Sequence, residues 1–169
     1  MLRVIGGVLV LLGATGIGYG KTRQFYQRMA LLRELRRGME LVLCEMNYTL
    51  YSVPKLLSIV GSNIKNPGGA YLKNLGQAIE EGIPRHKAHT AALERTKGIS
   101  LPKDGLMALI EWSTALGQFD PEGENRMMKL SIDRMEQALR TYGEEKTQIS
   151  KSYTLLSISA GLALLILIL

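Results

Sequence analysis

Cysteine and histidine are scarce in this chain of 169 residues, and their scarcity excludes several kinds of site. The single cysteine, Cys44, cannot form an internal disulfide, which fits a reducing compartment. Its apolar neighbours Leu43 and Met46 predict a buried thiol without a nucleophilic role. The two histidines, His86 and His89, are three residues apart, but no third metal ligand accompanies them. The sequence therefore predicts no catalytic residue, no metal site and no cofactor, and we expect a protein that is not an enzyme.

Large aromatic side chains are also few, with one tryptophan and two phenylalanines, and no basic patch is interleaved with them. Nucleic acid is therefore not an expected partner, although the net charge is +6. Proline is missing before Pro54 and again after Pro121. Because proline is the residue that most strongly interrupts helices, we expect long helices at both ends of the chain.

Charge is missing from two terminal runs, each long enough to cross a bilayer as a helix. Val4 to Gly20 has 17 uncharged residues and Ser152 to Leu169 has 18, or roughly 26 and 27 Å of helix. We predict transmembrane helices over residues 1–20 and 152–169 and a cytoplasmic helical bundle over residues 21–151.

The topology is predicted from basic residues that flank both runs on the side of the bundle, because positive charge stays in the cytoplasm. Lys146 and Lys151 flank the second run. The juxtamembrane basic residues beside the first run are Lys21, Arg23, Arg28, Arg33, Arg36 and Arg37. This group also favours contact with anionic membrane lipid.

Glycines give the first predicted span a flat face. Gly13, Gly16 and Gly20 share one side of the helix, and Gly6 lies two turns earlier. A flat face lets a second transmembrane helix approach closely, so we expect helix packing there, which also allows self-association.

Two other interpretations of the N-terminal run fail on particular residues. Gly20-Lys21 resembles the end of a phosphate loop, but Thr15 occupies the position of the first glycine. A secretory signal peptide also begins with a basic residue and an apolar core. The basic excess after Gly20 argues against export of the segment that begins at Lys21.

Between the predicted spans, apolar residues recur at helical spacing and predict an all-α bundle of about six helices. The stripe of the first long helix is Phe25, Met29, Leu32, Leu35, Met39, Val42, Met46 and Leu50. Breaks are predicted near Pro54, where Ser52 can cap a helix, at Asn66–Gly69, at Gly82–Pro84 and at Gly98–Pro102.

The last long helix has a distinct start and a regular seam. Asp120-Pro121-Glu122 combines a capping carboxylate, a proline at the first position and an acidic first turn. The seam then repeats every seven residues, and we expect it to pack on the first long helix. The predicted core is Leu32, Leu35, Met39, Val42, Leu109, Trp112, Leu116, Met128, Ile132, Met135, Leu139 and Tyr142.

Three strings resemble the stage III sporulation protein AB family of endospore-forming bacteria. They are Val8–Gly20 with Lys21, Leu31–Leu41 and Glu111–Asp120. The family resemblance covers the whole chain, and the middle domain is also similar to the helical platform domain of type II secretion and type IV pilus machines. The resemblance implies a place in the mother-cell membrane around the forespore, in a secretion-like channel complex.

The resemblance implies a non-enzymatic membrane platform subunit that couples a cytoplasmic secretion-type ATPase to the membrane channel and is required for endospore formation. Its implied partners are the other subunits of that complex. The alternative is a membrane-tethered regulatory adaptor that binds a soluble signalling partner. A platform is expected to copurify with membrane partners in a fixed ratio, whereas an adaptor is expected to exchange.

Overall fold

The structure is a computed structural model that describes the backbone of residues 2–117, 120 and 122–144, and the side chains from residue 24 onwards within these ranges. In this part of the chain there are six helices and no strand, which confirms the predicted all-α fold. The helices are α1 (Leu2–Tyr48), α2 (Val53–Asn63), α3 (Gly68–Glu80), α4 (Arg85–Arg95), α5 (Lys103–Ala115) and α6 (residues 122–144).

Helix α1 has 47 residues and is roughly 70 Å long, so the N-terminal run and the bundle share one uninterrupted helix. Glycine is unfavourable inside a helix, yet Gly38 lies in the middle of α1. It is buried at the point where α3 crosses α1. A Cβ atom at Gly38 would lie 2.9 Å from Leu72 Cδ1. The glycine is therefore a site of close helix packing.

Both predicted membrane spans fall on residues with no described side chains. These are residues 1–20 and 152–169, together with the glycine face at Gly6, Gly13, Gly16 and Gly20. Within the described part of the chain, no helix combines the length and apolar character needed to cross a bilayer. The two spans and the boundaries of the bundle stay predictions.

Helices α2 and α3 form a hairpin in which glycines bring the two backbones together. A Cβ at Gly61 would lie 2.7 Å from the Gly69 carbonyl oxygen, and one at Gly76 would lie 2.8 Å from the Pro54 carbonyl oxygen. Pro54 lies in the first turn of α2, as predicted. Ser52 is at the N-cap position, but its side chain makes no capping hydrogen bond, so that part of the prediction is wrong.

Helix α6 begins where its sequence predicts. The Asp120 carboxylate accepts the Gly123 N–H at 3.3 Å, and the Asp120 carbonyl accepts the Glu124 N–H at 2.9 Å. The carboxylate satisfies an N–H group that has no backbone partner within the helix, and the carbonyl accepts the first regular helical hydrogen bond.

The predicted pairing of the first and last long helices is present, and the two run antiparallel. Near one end the Phe25 and Tyr142 ring centroids are 5.0 Å apart, and further along an Arg36 nitrogen lies 3.6 Å from a Glu136 oxygen. At the other end Asn47 and Asn125 exchange two amide hydrogen bonds of 3.1 and 3.0 Å. Gly105 of α5 lies against the side chains of Leu32 and Met135, so α5 packs on both long helices.

One apolar core joins the helices. Eleven of the twelve predicted core residues are buried, and Tyr142 is half-buried against Phe25. Cys44 and Leu50 differ from expectation, since both are exposed. Helix α1 turns Cys44 away from the side that buries Val42, and it ends at Tyr48, before the stripe reaches Leu50.

Candidate functional site

The described residues contain no group of three histidine, cysteine, aspartate or glutamate side chains placed to hold a metal ion. His86 is exposed and His89 is half-buried, with its Nε2 atom 3.2 Å from Thr90 Oγ1. Burial lowers the pKa of His89, and a hydrogen bond involving the His86 backbone opposes that shift. Three features on the surface of the bundle could serve a function.

The first is a cluster of exposed apolar side chains between α1 and α2. We call Tyr48, Leu50 and Tyr51 the tip. Tyr48 is 85 % exposed, Leu50 is fully exposed and Tyr51 is half exposed. The ammonium group of Lys55 lies 4.7 Å from the centre of the Tyr51 ring, which adds a positive charge beside the cluster.

Hydrogen bonds hold the base of the tip. The Thr49 N–H and hydroxyl both donate to the Glu45 carbonyl at 2.8 Å, which closes the end of α1. Asn47, one residue before the tip, is joined to Asn125 of α6 by the reciprocal amide bonds. The tip therefore projects from a fixed junction of two long helices.

The second feature is the corner between α5 and α6. Gly117 has φ +66°, a conformation that favours glycine. The Arg85 guanidinium donates to the Leu116 carbonyl, and the buried Glu124 carboxylate accepts the Gly117 N–H. This corner contains part of the string Glu111–Asp120. The contacts with Arg85 of α4 and Glu124 of α6 hold the backbone of Gly117 in the conformation that favours glycine.

The third feature is a groove of about 800 Å³ at the other end of the bundle. Its walls are α1 over residues 24–34 and the two connectors over residues 65–67 and 97–100. Among the described lining residues, each wall carries one cation, namely Arg28, Lys65 or Lys97, and Glu34 is the one acidic residue. We call this feature the basic groove.

The predicted juxtamembrane basic residues do not form one surface. Arg28 lines the basic groove, whereas Arg36 pairs with Glu40 at 2.7 Å and lies 3.6 Å from Glu136. A hydrogen bond from Arg140, together with the charge of Arg36, lowers the pKa of the Glu136 carboxyl. Of the remaining members of the set, Arg33 and Arg37 are exposed, and the side chains of Lys21 and Arg23 lie outside the described residues.

Lys65 and Lys97 are not among the functional residues predicted from the sequence. Each stands directly before a predicted connector, which is a signal that the sequence does contain. What it does not contain is the arrangement that places both connectors beside Arg28 of α1. Tyr48 and Tyr51 were not predicted either, because their exposure depends on where α1 ends.

The chain is similar to a known protein family and to a solved structure. The model of the family described as Stage III sporulation protein AB matches residues 3–169. A solved structure of stage III sporulation protein AB (SpoIIIAB) is similar, with a TM-score of 0.62 and 14% sequence identity. The similarity covers 72% of this chain and 98% of that one. At this identity the likeness shows the fold alone. No match is found among curated proteins.

Proposed function

This chain belongs to the stage III sporulation protein AB family, and from that premise we propose that it is a non-enzymatic platform subunit of a sporulation-specific, secretion-like channel complex. In this proposal two transmembrane helices hold the bundle at the cytoplasmic face of the mother-cell membrane around the forespore. The bundle couples a secretion-type ATPase to the channel and is required for endospore formation.

The observation that carries the proposal is the position of the tip on α1. Tyr48 lies 28 residues beyond Gly20 on one uninterrupted helix, which is roughly 42 Å. If residues 1–20 cross the membrane, the tip is held far from the bilayer, within reach of a large cytoplasmic partner. Antiparallel packing of α6 on α1 makes this support two helices thick.

The tip has the chemistry of a protein-binding surface. Exposed tyrosines and a leucine together are uncommon on a free surface, and aromatic residues are enriched where protein interfaces are most strongly bound. Lys55 beside Tyr51 adds a positive charge that suits an acidic partner surface. We assign the tip to the ATPase because that partner must approach from the cytoplasm.

A crosslinked pull-down from sporulating cells tests the proposal. The full chain should recover membrane subunits and the ATPase in a fixed ratio. Leu50→Ser should reduce recovery of the ATPase and leave the membrane subunits bound, because Leu50 is exposed at the tip. Met107→Ser is the matched control, since Met107 is an exposed apolar residue on α5.

Recovery of a soluble signalling protein in variable ratio, without membrane subunits, would instead favour the membrane-tethered adaptor. Equal recovery of the ATPase with Leu50→Ser and with Met107→Ser would contradict the assignment of the tip. A platform that contacts the ATPase elsewhere would still recover both classes of partner in a fixed ratio.

A further inference from the structure

The basic groove brings together cations that are far apart in the sequence. Arg28 comes from α1, Lys65 from the connector after α2 and Lys97 from the connector after α4, with Glu34 as the opposing charge. We infer that this groove binds the headgroups of anionic phospholipids in the membrane that carries the chain. The inference rests on the proposed membrane anchoring of residues 1–20.

The level of the groove on α1 supports this ligand. Gln24 and Leu31 lie 4 and 11 residues beyond Gly20, which puts them roughly 6 and 16 Å past the predicted end of the span. The headgroup layer extends about 5–8 Å beyond the hydrocarbon on each side of a bilayer. The groove therefore starts in that layer, and its α1 wall as far as Leu31 lies within about one Debye length of it, roughly 8–10 Å in physiological salt.

The lining suits a phosphodiester with a small polar headgroup. Lysine ammonium groups bind phosphate as point charges, and arginine adds planar donors. The side chains of Gln24, Gln27, Asn66 and Ser100 offer further N–H and O–H donors.

The two connectors are shaped so that they can lie against α1. Gly98 has φ +86°, which turns the chain sharply after Lys97. Gly68, directly after the other connector, is buried against α1. A Cβ atom at Gly68 would lie 3.5 Å from Leu35 Cδ2, in van der Waals contact. Packing in the core therefore fixes the position of the segment that carries Lys65, and the groove is part of the folded bundle.

Other anionic ligands fit less well. None of the described residues that line the groove is aromatic, so they offer no surface on which nucleic acid bases could stack. An acidic peptide would have to bind next to the predicted membrane surface, whose anionic lipids repel it. Both the position and the charge favour lipid.

The test uses the full chain in non-ionic detergent micelles. Phosphatidylglycerol or phosphatidylcholine with the same dansyl-labelled acyl chain is titrated in, and binding is followed by energy transfer from Trp112, the one tryptophan. Phosphatidylglycerol should reach half-saturation at a lower mole fraction. Lys65→Gln combined with Lys97→Gln should weaken that binding about 30-fold, or about 5-fold for each charge removed.

The control removes two charges at the opposite end of the bundle. Arg126→Gln combined with Lys129→Gln changes two exposed residues at the start of α6, close to the Asn125 contact with Asn47. It should change lipid binding less than twofold. Melting curves of both double variants should match the parent, because the four side chains are all exposed.

Equal binding of the two lipids, or equal weakening by the two double variants, would overturn the inference. Displacement of the lipid by millimolar inorganic phosphate would assign the groove to a free anion, and displacement by micromolar oligoglutamate would assign it to an acidic peptide. Either result also overturns it. The assay contains no protein partner, so its failure is separate from failure of the pull-down. A chain that stays in solution without detergent would show that the anchoring itself is wrong.

Discussion

The close approach of α2 and α3 makes a prediction about adding a single methyl group. A Cβ at Gly61 would lie 2.7 Å from the Gly69 carbonyl oxygen and 3.2 Å from the Lys73 backbone nitrogen. The first distance is roughly 0.7 Å short of ordinary van der Waals contact. Both atoms belong to the backbone of α3, so Gly61→Ala can be accommodated only if one helix moves.

Helix propensity and overpacking have opposite effects on the unfolding free energy of the Gly61→Ala variant. Alanine is favoured over glycine inside a helix by about 1 kcal/mol. Overpacking a core with extra carbon typically costs ~1–3 kcal/mol. We therefore expect Gly61→Ala to be neutral or to destabilise the bundle by up to ~2 kcal/mol, in spite of its better helix propensity.

Gly143→Ala is the matched control, because it makes the same change on α6 where space is available. A Cβ at Gly143 would lie 3.6 Å from Met29 Cε, an ordinary contact. That variant should be stabilised by about 1 kcal/mol. The two variants should thus differ by ~1–3 kcal/mol, or roughly 4 °C in melting temperature for each kcal/mol in a domain of this size.

Thermal unfolding of the full chain, followed by circular dichroism, measures this difference. The sign matters more than the size, since the chemical change is the same at both positions. If Gly61→Ala raised the melting temperature as much as Gly143→Ala does, the two backbones would not be in contact at Gly61. Close packing of α2 on α3 would then not explain why glycine occupies these positions of the hairpin.

Three further predictions concern the core, the anchor and the topology. Leu139→Ala should cost ~2–5 kcal/mol of unfolding free energy because it leaves a cavity in the apolar core. Arg140→Ala should barely change the melting temperature, since Arg140 is exposed and pairs only with Glu136 among the described residues. Equal melting of the two variants would mean that the α6 seam is not core. Gly16→Leu should impair assembly with partner helices but not membrane insertion, and normal copurification of membrane subunits would show that this face contacts only lipid. Protease added to intact cells should spare the connector at residues 65–67, and cleavage there from outside would reverse the proposed topology.

Local rules allowed much of the fold to be predicted from the sequence. Helical spacing of apolar residues predicted the buried sides of α1 and α6, because each side chain's direction is set by its position in the turn. The start of α6 at Asp120 was predictable for a similar reason, since a capping carboxylate acts on N–H groups only three residues away.

Packing decided the features that local rules do not reach. The end of α1 at Tyr48 leaves Leu50 exposed, although Leu50 continues the apolar stripe. The hairpin glycines depend on a neighbouring backbone, and Gly117 is fixed by Arg85 and Glu124 from two other helices.

The surfaces to which we assign functions are tertiary as well. Arg28 was predicted as one of six juxtamembrane cations, but its grouping with Lys65 and Lys97 arises from two connectors that lie against α1. The pattern of one helix specifies which of its faces is apolar. Only the packing of several helices decides which charged residues from distant segments face the same space, because that depends on crossing angles and on close contacts between backbones.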